Sequence, residues 1–159
     1  MIDELFGLPA HPLVVHTAVI FGPLLVAAAL AYAFVPMLRK HLGWVVVSLA
    51  FVGPITLWYA RLSGEALRDR QIANGAQGQL LLDIDVHQGF GNNASWWGTG
   101  LGVASLALVY YCTTAGRRPA APSSRAITYA LIAVTAVAAL LTAYYAIRAG
   151  HSGATMVWT

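Results

Sequence analysis

Charge is scarce in this chain of 159 residues: Lys, Arg, Asp and Glu together make 9% of it, against about 25% in a soluble domain. Beside a hydrophobic fraction of 58% and a mean hydropathy of +0.67, that scarcity excludes a disordered chain, an ordinary soluble enzyme and a nucleic-acid binder with a basic face. Cysteine is nearly absent. The lone Cys112 excludes an internal disulfide framework and a zinc site built on several thiolates. No nucleophile with a base, phosphate loop or dinucleotide fingerprint occurs, and Gly98–Gly102 lies within an apolar run rather than in a phosphate cradle. Enzymatic activity is therefore open, with a redox role the most that can be read.

What is present is a set of long uncharged runs. Pro12–Leu38, Leu42–Ala60, Val86–Gly116 and Ala126–Ile147 carry no Asp, Glu, Lys or Arg. A membrane helix needs about 20 apolar residues, and backbone polar groups in lipid must be paired internally. The runs predict an all-α integral membrane four-helix bundle, one domain over residues 1–159, with spans near 12–36, 42–62, 93–115 and 126–148. No acidic residue lies in any span, which argues against a carboxylate proton relay; a transport pathway would also need a homodimer.

Arg39 and Lys40 lie between spans one and two, and Arg117, Arg118 and Arg125 between spans three and four, with no acid among them. The other side holds Asp3, Glu4, Glu65, Asp69, Asp83 and Asp85 beside Arg61, Arg68, Arg70 and Arg148. The positive-inside rule makes the two basic loops cytoplasmic and puts both termini outside, in a bacterial cytoplasmic membrane. The basic isoelectric point is then an orientation signal, with the lipid bilayer as partner and no nucleic acid expected. Trp58, Tyr59, Trp96, Trp97, Tyr144, Tyr145 and Trp158 fall at the outer boundary, and Trp44, Tyr110, Tyr111 and Tyr129 at the inner one, the depths amphipathic rings favour. The N-terminus carries Asp3 and Glu4 and no basic stretch, so a cleaved signal peptide is not expected.

The polar segment from Ser63 to Asn93 predicts a short outer surface helix over 65–82, its apolar side formed by Leu80, Leu81, Leu82, Ile84 and Val86. Gly89, Gly91, Asn92 and Asn93 predict a break before span three. Residues 116–125 read as a flexible inner linker. Gly98 with Gly102, and Ala139 with Ala143, are small-residue pairs that let helices approach. Gly22-Pro23 and Gly53-Pro54 form a weak internal repeat, and a proline bend there is a way to widen a cavity.

Histidine carries the chemistry. His41 sits beside Arg39 and Lys40; His11, His16, His87 and His151 are expected at the outer end, from three separate chain segments. His16 lies in an apolar run, where a polar group asks for a partner. Neutral imidazole ligates haem iron, copper and zinc. The expected site is therefore haem b held by His16 and His87, with Arg61 and Arg148 pairing its propionates. The other form is a copper or zinc ion held by His11, His16, His87 and His151, with Glu65, Asp83 or Asp85 joining them. Proton handling is a further use of the same rings. The plainer reading makes His11 and His151 interfacial residues and Arg61 and Arg148 snorkelling anchors.

The order His11-Pro12-Leu13-Val14-Val15-His16, Ser63-Gly64-Glu65, His87, Gly150-His151-Ser152-Gly153-Ala154 and Val157-Trp158 resembles the bacterial membrane proteins grouped as domain of unknown function 2231. The resemblance runs from about residue 8 to residue 158, its most specific part being the His-Pro-x-x-x-His start. Members often follow the second histidine with Phe-Pro, where this chain has Thr17-Ala18. The resemblance implies a four-helix membrane protein and little about mechanism. Two functions follow: a small haem- or metal-binding electron-transfer protein, or a non-catalytic accessory subunit of a larger membrane complex.

Overall fold

The computed structural model describes residues 4–5, 7–115 and 122–158. A minimal antiparallel bridge, β1 (Glu4–Leu5) with β2 (Leu8–Pro9), precedes four helices. These are α1 (Ala10–Phe34), α2 (Arg39–Ala73), α3 (Gln79–Ala115) and α4 (Pro122–Trp158), with a 3-10 turn at Pro36–Leu38. The inner linker, with Arg117 and Arg118, lies largely outside the described residues. The helices form a four-cornered bundle in which α1 packs on α2 and α4, α3 packs on α2 and α4, and α1 and α3 face each other across a diagonal.

Three helical segments, Ala10–Phe34, Pro36–Ala73 and Arg125–Met156, are long and apolar enough to cross a membrane. Their side chains are arranged to suit it. Small residues point inward: Ala18, Gly22, Ala29 and Ala33 on α1, Ala138 and Ala139 on α4. Large apolar ones point outward: Val19, Ile20 and Leu24 on α1, Phe51 and Ile55 on α2, Val137, Leu140 and Ile147 on α4. Close backbone approach through small residues is how helices pack when the surroundings are as apolar as the core.

Around mid-helix Leu25, Ala29, Ala50, Leu101, Ala138 and Ala139 form one cluster. Pro54 has no N–H to offer the carbonyl of Ala50. Gly102 lies over that carbonyl: a Cβ built on it would stand 2.6 Å from the Ala50 oxygen and 3.1 Å from Pro54 Cγ. Gly98 meets Leu57 in the same way. At the far end of the bundle, Arg39 closes the last turn of α1, donating to the carbonyls of Tyr32 (3.0 Å) and Ala33 (2.9 Å).

Two expectations are corrected. No separate surface helix lies over 65–82: α2 runs on to Ala73 and α3 begins at Gln79, so the segment is the tip of a helical hairpin. Gly75, at φ +90°, ends α2, with the Ala76 N–H bonded to Gln71 O and the Gly75 N–H to Ile72 O. That is a Schellman closure, which needs a residue free to turn left-handed. The legs of the hairpin are tied by Arg68 and Asp85 at 2.7 Å. Nor does α3 break at Gly89–Asn93. Asn93 Nδ2 donates to Gly89 O, and the one Ser95 Oγ proton is shared between Gly91 O at 3.0 Å and, across the interface, Leu57 O at 3.1 Å. Packing of the buried Ala94 and Ser95 outweighs the weak helix propensity of Gly and Asn, which is a cost of about 1 kcal/mol or less per residue.

Candidate functional site

The inward positions of α3 repeat those of α1. One constant interval relates His11 to His87, Ala18 to Ala94, Gly22 to Gly98 and Leu25 to Leu101; the alanines, glycines and leucines of these pairs are all buried. A second constant interval relates α2 to α4: Ala50 to Ala139, Ala60 to Ala149, and Ser63-Gly64 to Ser152-Gly153. The chain is thus built as two similar hairpins, and each brings one imidazole to the bundle axis.

In the first hairpin His11 Nδ1 lies 3.0 Å from Ser63 Oγ, and Ser63 Oγ donates to Ala60 O at 2.9 Å. In the second, His87 Nδ1 lies 3.1 Å from Ser152 Oγ and 3.0 Å from Ala149 O, while Ser152 Oγ donates to Ala149 O at 3.1 Å. A carbonyl only accepts, so His87 carries its proton on Nδ1. A serine hydroxyl has one proton, and Ser63 spends it on Ala60, so His11 also donates from Nδ1. Both rings are therefore held in the tautomer that leaves Nε2 with a free lone pair.

Glycine shapes the other contact. A Cβ on Gly64 would stand 3.1 Å from His11 Cε1, and one on Gly153 would stand 3.0 Å from His87 Cε1. The Nδ1–Cε1 edge of each ring is taken up by its own Ser-Gly pair, and the Nε2–Cδ2 edge remains. The two rings meet edge to face, their centroids 6.2 Å apart and their planes at 82°. Burial pushes the His87 imidazole below its ordinary value, against the opposing pull of its bond to Ala149, so the ring is disposed to be neutral.

The other expected site residues stand elsewhere. His16 is exposed, and its Nδ1 donates to the Pro12 carbonyl one turn back at 2.6 Å. At about 100° per residue it lies roughly 140° around α1 from His11. The imidazole that meets His87 is His11, and the partner that the depth of His16 called for is its own helix. His151 is exposed on α4, one residue before Ser152. Arg61 pairs with Glu65 at 2.8 Å and covers the Trp58 ring; Arg148 covers Phe90. Asp83 accepts from Gln79 Nε2, and Asp85 is taken by Arg68. Among the described residues no group of three or more His, Cys, Asp or Glu is placed to hold a metal ion.

Ser63, Gly64, Ser152 and Gly153 are the functional positions that reasoning on histidines alone passes over. The signal for them is the Ser-Gly dipeptide standing once in the second half of each hairpin's second helix. Family models, curated proteins and solved structures offer no match to this chain.

Proposed function

We propose that this chain is a four-span protein of the bacterial cytoplasmic membrane, both termini outside, whose half-buried His11–His87 pair holds a metal ion, or haem b, for electron transfer. The observation that carries the reading is the pair itself: two imidazoles from diagonal helices, His11 held as the Nδ1–H tautomer by Ser63 and His87 by the Ala149 carbonyl, so that Nε2 is the unprotonated nitrogen of each. A hydrogen-bonded far nitrogen is the usual second contact of a metal-ligating histidine. The residues quoted for the resemblance to domain of unknown function 2231 include His11, Ser63-Gly64, His87 and Ser152-Gly153, which build this cradle.

Support for α3 as the fourth span is the stripe Trp96, Val103 and Tyr110 on its outer face, all exposed. Its low hydropathy comes from inward Ser95, Gly98, Gly102 and Ser105, which are buried. Arg39 and Lys40 at the opposite end from the pair support the orientation.

A single ion suits the donor set better than haem. Val14, Ala18, Leu57, Ala60, Ala94 and Tyr145 pack together in the adjoining layer, and a macrocycle would have to part them. Metal analysis and an absorption spectrum of the purified protein test the reading. A bound metal or a Soret band is expected, lost in His11→Ala and His87→Ala and kept in His41→Ala. An intact protein with neither overturns it and leaves the accessory-subunit role, in which the pair only joins the hairpins of a scaffold for a larger complex.

A further inference from the structure

We infer that the cavity at the end of the bundle opposite the histidines binds a phosphate group, and that an anionic phospholipid bears it. Nothing in this depends on what the His11–His87 pair holds; it needs only that the chain lies in a membrane. Three observations lead there.

The first is the lining. A cavity of about 250 Å³ is bounded by Tyr32, Arg39, Lys40, Cys112, Thr113 and Thr128, which come from all four helices. It is smaller than the pockets of about 300–1,000 Å³ that take drug-sized ligands, and suits a headgroup. Arg39 Nε and Nη2 are tied to the carbonyls of Tyr32 and Ala33. Those bonds hold the guanidinium in place and leave Nη1, with the second proton of Nη2, as a fork of donors. Such a fork takes a phosphate through two parallel hydrogen bonds. Tyr32, 1% exposed, adds a hydroxyl for which the described residues supply no hydrogen-bond partner. Thr113 spends its proton on the carbonyls of Val109 and Tyr110, so Arg39, Lys40 and Tyr32 are the donors the site uses. The second is charge. The six acids of the chain are Asp3, Glu4, Glu65, Asp69, Asp83 and Asp85. Asp3 and Glu4 precede α1 in the sequence, and the others stand where α2 ends and α3 begins. The 25 residues of α1 put roughly 37 Å between that end and the cavity, several times the screening length of about 10 Å. Among the described residues neither Arg39 nor Lys40 has a carboxylate partner, and Arg125, exposed one turn before Thr128, adds a third cation to this end. The third is the surroundings. Phe34 and Met37 follow Tyr32 along the chain, Trp44 lies one turn past Lys40, and Tyr129 adjoins Thr128; all four are exposed. Free phosphate gains nothing from such neighbours. The acyl chains of a lipid do, and basic pockets between spans at a membrane face take anionic headgroups.

The test uses the full chain in neutral detergent, offered phosphatidylglycerol, phosphatidylcholine and inorganic phosphate separately, with native mass spectrometry counting what stays bound. One phosphatidylglycerol per chain is expected to remain under conditions that strip phosphatidylcholine, with inorganic phosphate held far more weakly. Affinity for phosphatidylglycerol should fall about fivefold in Lys40→Gln, the loss of one cation near a membrane surface. It should fall about tenfold or more in Tyr32→Phe, which keeps the ring and removes a hydroxyl bonded to a charged acceptor. Arg68→Gln, a cation of the far end, should leave it unchanged. Nitrogen NMR of the unaltered chain should show the Arg39 guanidinium shifting on phosphatidylglycerol addition, a readout that needs no variant to fold. Binding of inorganic phosphate in place of the lipid overturns the lipid as bearer and leaves the phosphate site standing. Equal retention of the two lipids, an unmoved Arg39 signal, or a preference untouched by Lys40→Gln and Tyr32→Phe overturns the site, as does binding of none of the three. A chain that stays dissolved without detergent overturns the membrane reading and this site with it. Metal content measured on the same sample keeps the fate of the histidine pair separate from all of these.

Discussion

The α1–α2 hairpin and the α3–α4 hairpin agree at one end and differ at the other. Near the imidazoles the diagonal helices carry the same residues at matching positions: His11 and His87, Ala18 and Ala94, Gly22 and Gly98, Leu25 and Leu101. Further along, Ala29 corresponds to Ser105, Tyr32 to Leu108 and Ala33 to Val109 at the same interval, all of them buried. The same shape is met by the same side chains where the rings and their Ser-Gly pairs must fit. Elsewhere different side chains serve, as packed cores allow. The metal chemistry of the molecule is therefore sought at the matched end.

The sharpest way to break the equivalence is inside the bundle. Gly102→Ala places a methyl group on the Ala50 carbonyl, a backbone atom that cannot step aside; a loss of about 1–3 kcal/mol is expected from overpacking. Gly22→Ala meets only Leu57, at 3.8 Å, and should be neutral or stabilising by up to about 1 kcal/mol. Thermal unfolding of the two variants in detergent checks the contrast, and equal losses would remove it. Next in size are the serines. Ser63→Ala and Ser152→Ala each remove the hydroxyl beside an imidazole Nδ1, while Ala60 and Ala149 still offer His11 and His87 a backbone carbonyl. Each should cost about 1 kcal/mol or less, read as the shift in unfolding midpoint.

Acid acts on the second hairpin in a defined direction. His87 titrates below its ordinary 6.5 in the folded protein, so the unfolded chain takes up the proton first. Stability is full above pH 6.5 and falls as the pH drops below it, until the folded ring also protonates. Unfolding midpoints measured from pH 8 down to pH 5 should show this fall, and His87→Gln should flatten it. The smallest effect is expected at the hairpin tip: Asp85→Asn removes the pairing with Arg68 on a partly exposed surface and should cost about 0.2–1 kcal/mol, less in high salt.

Four helices, and the first of them nearly to its ends, were legible from the uncharged runs, because run length and periodicity act locally; α2 runs on to Ala73, past the expected end at 62. The bundle's contacts were not. Whether His11 or His16 meets His87 depends on how α1 is rotated, and two residues only five apart lie on different sides of a helix. Depth alone pointed to His16, whose need for a partner is met one turn back by Pro12. Gly89–Asn93 read as a break because propensity is a local quantity, while the burial that keeps α3 whole comes from Leu57 on another helix. The cradle was visible as two Ser-Gly dipeptides, but their role needed the register between hairpins.

The lengths of the helices carry one more consequence. α2, α3 and α4 hold 35, 37 and 37 residues, or roughly 52–56 Å at 1.5 Å per residue, so they overshoot a hydrocarbon layer about 30 Å thick. The knuckle at Gly75–Gly78, where a Cβ on either glycine would meet nothing within 4 Å, stands at the limit of that overshoot. An epitope tag spliced there becomes a flag for sidedness: under the orientation proposed above, antibody reaches it on whole cells.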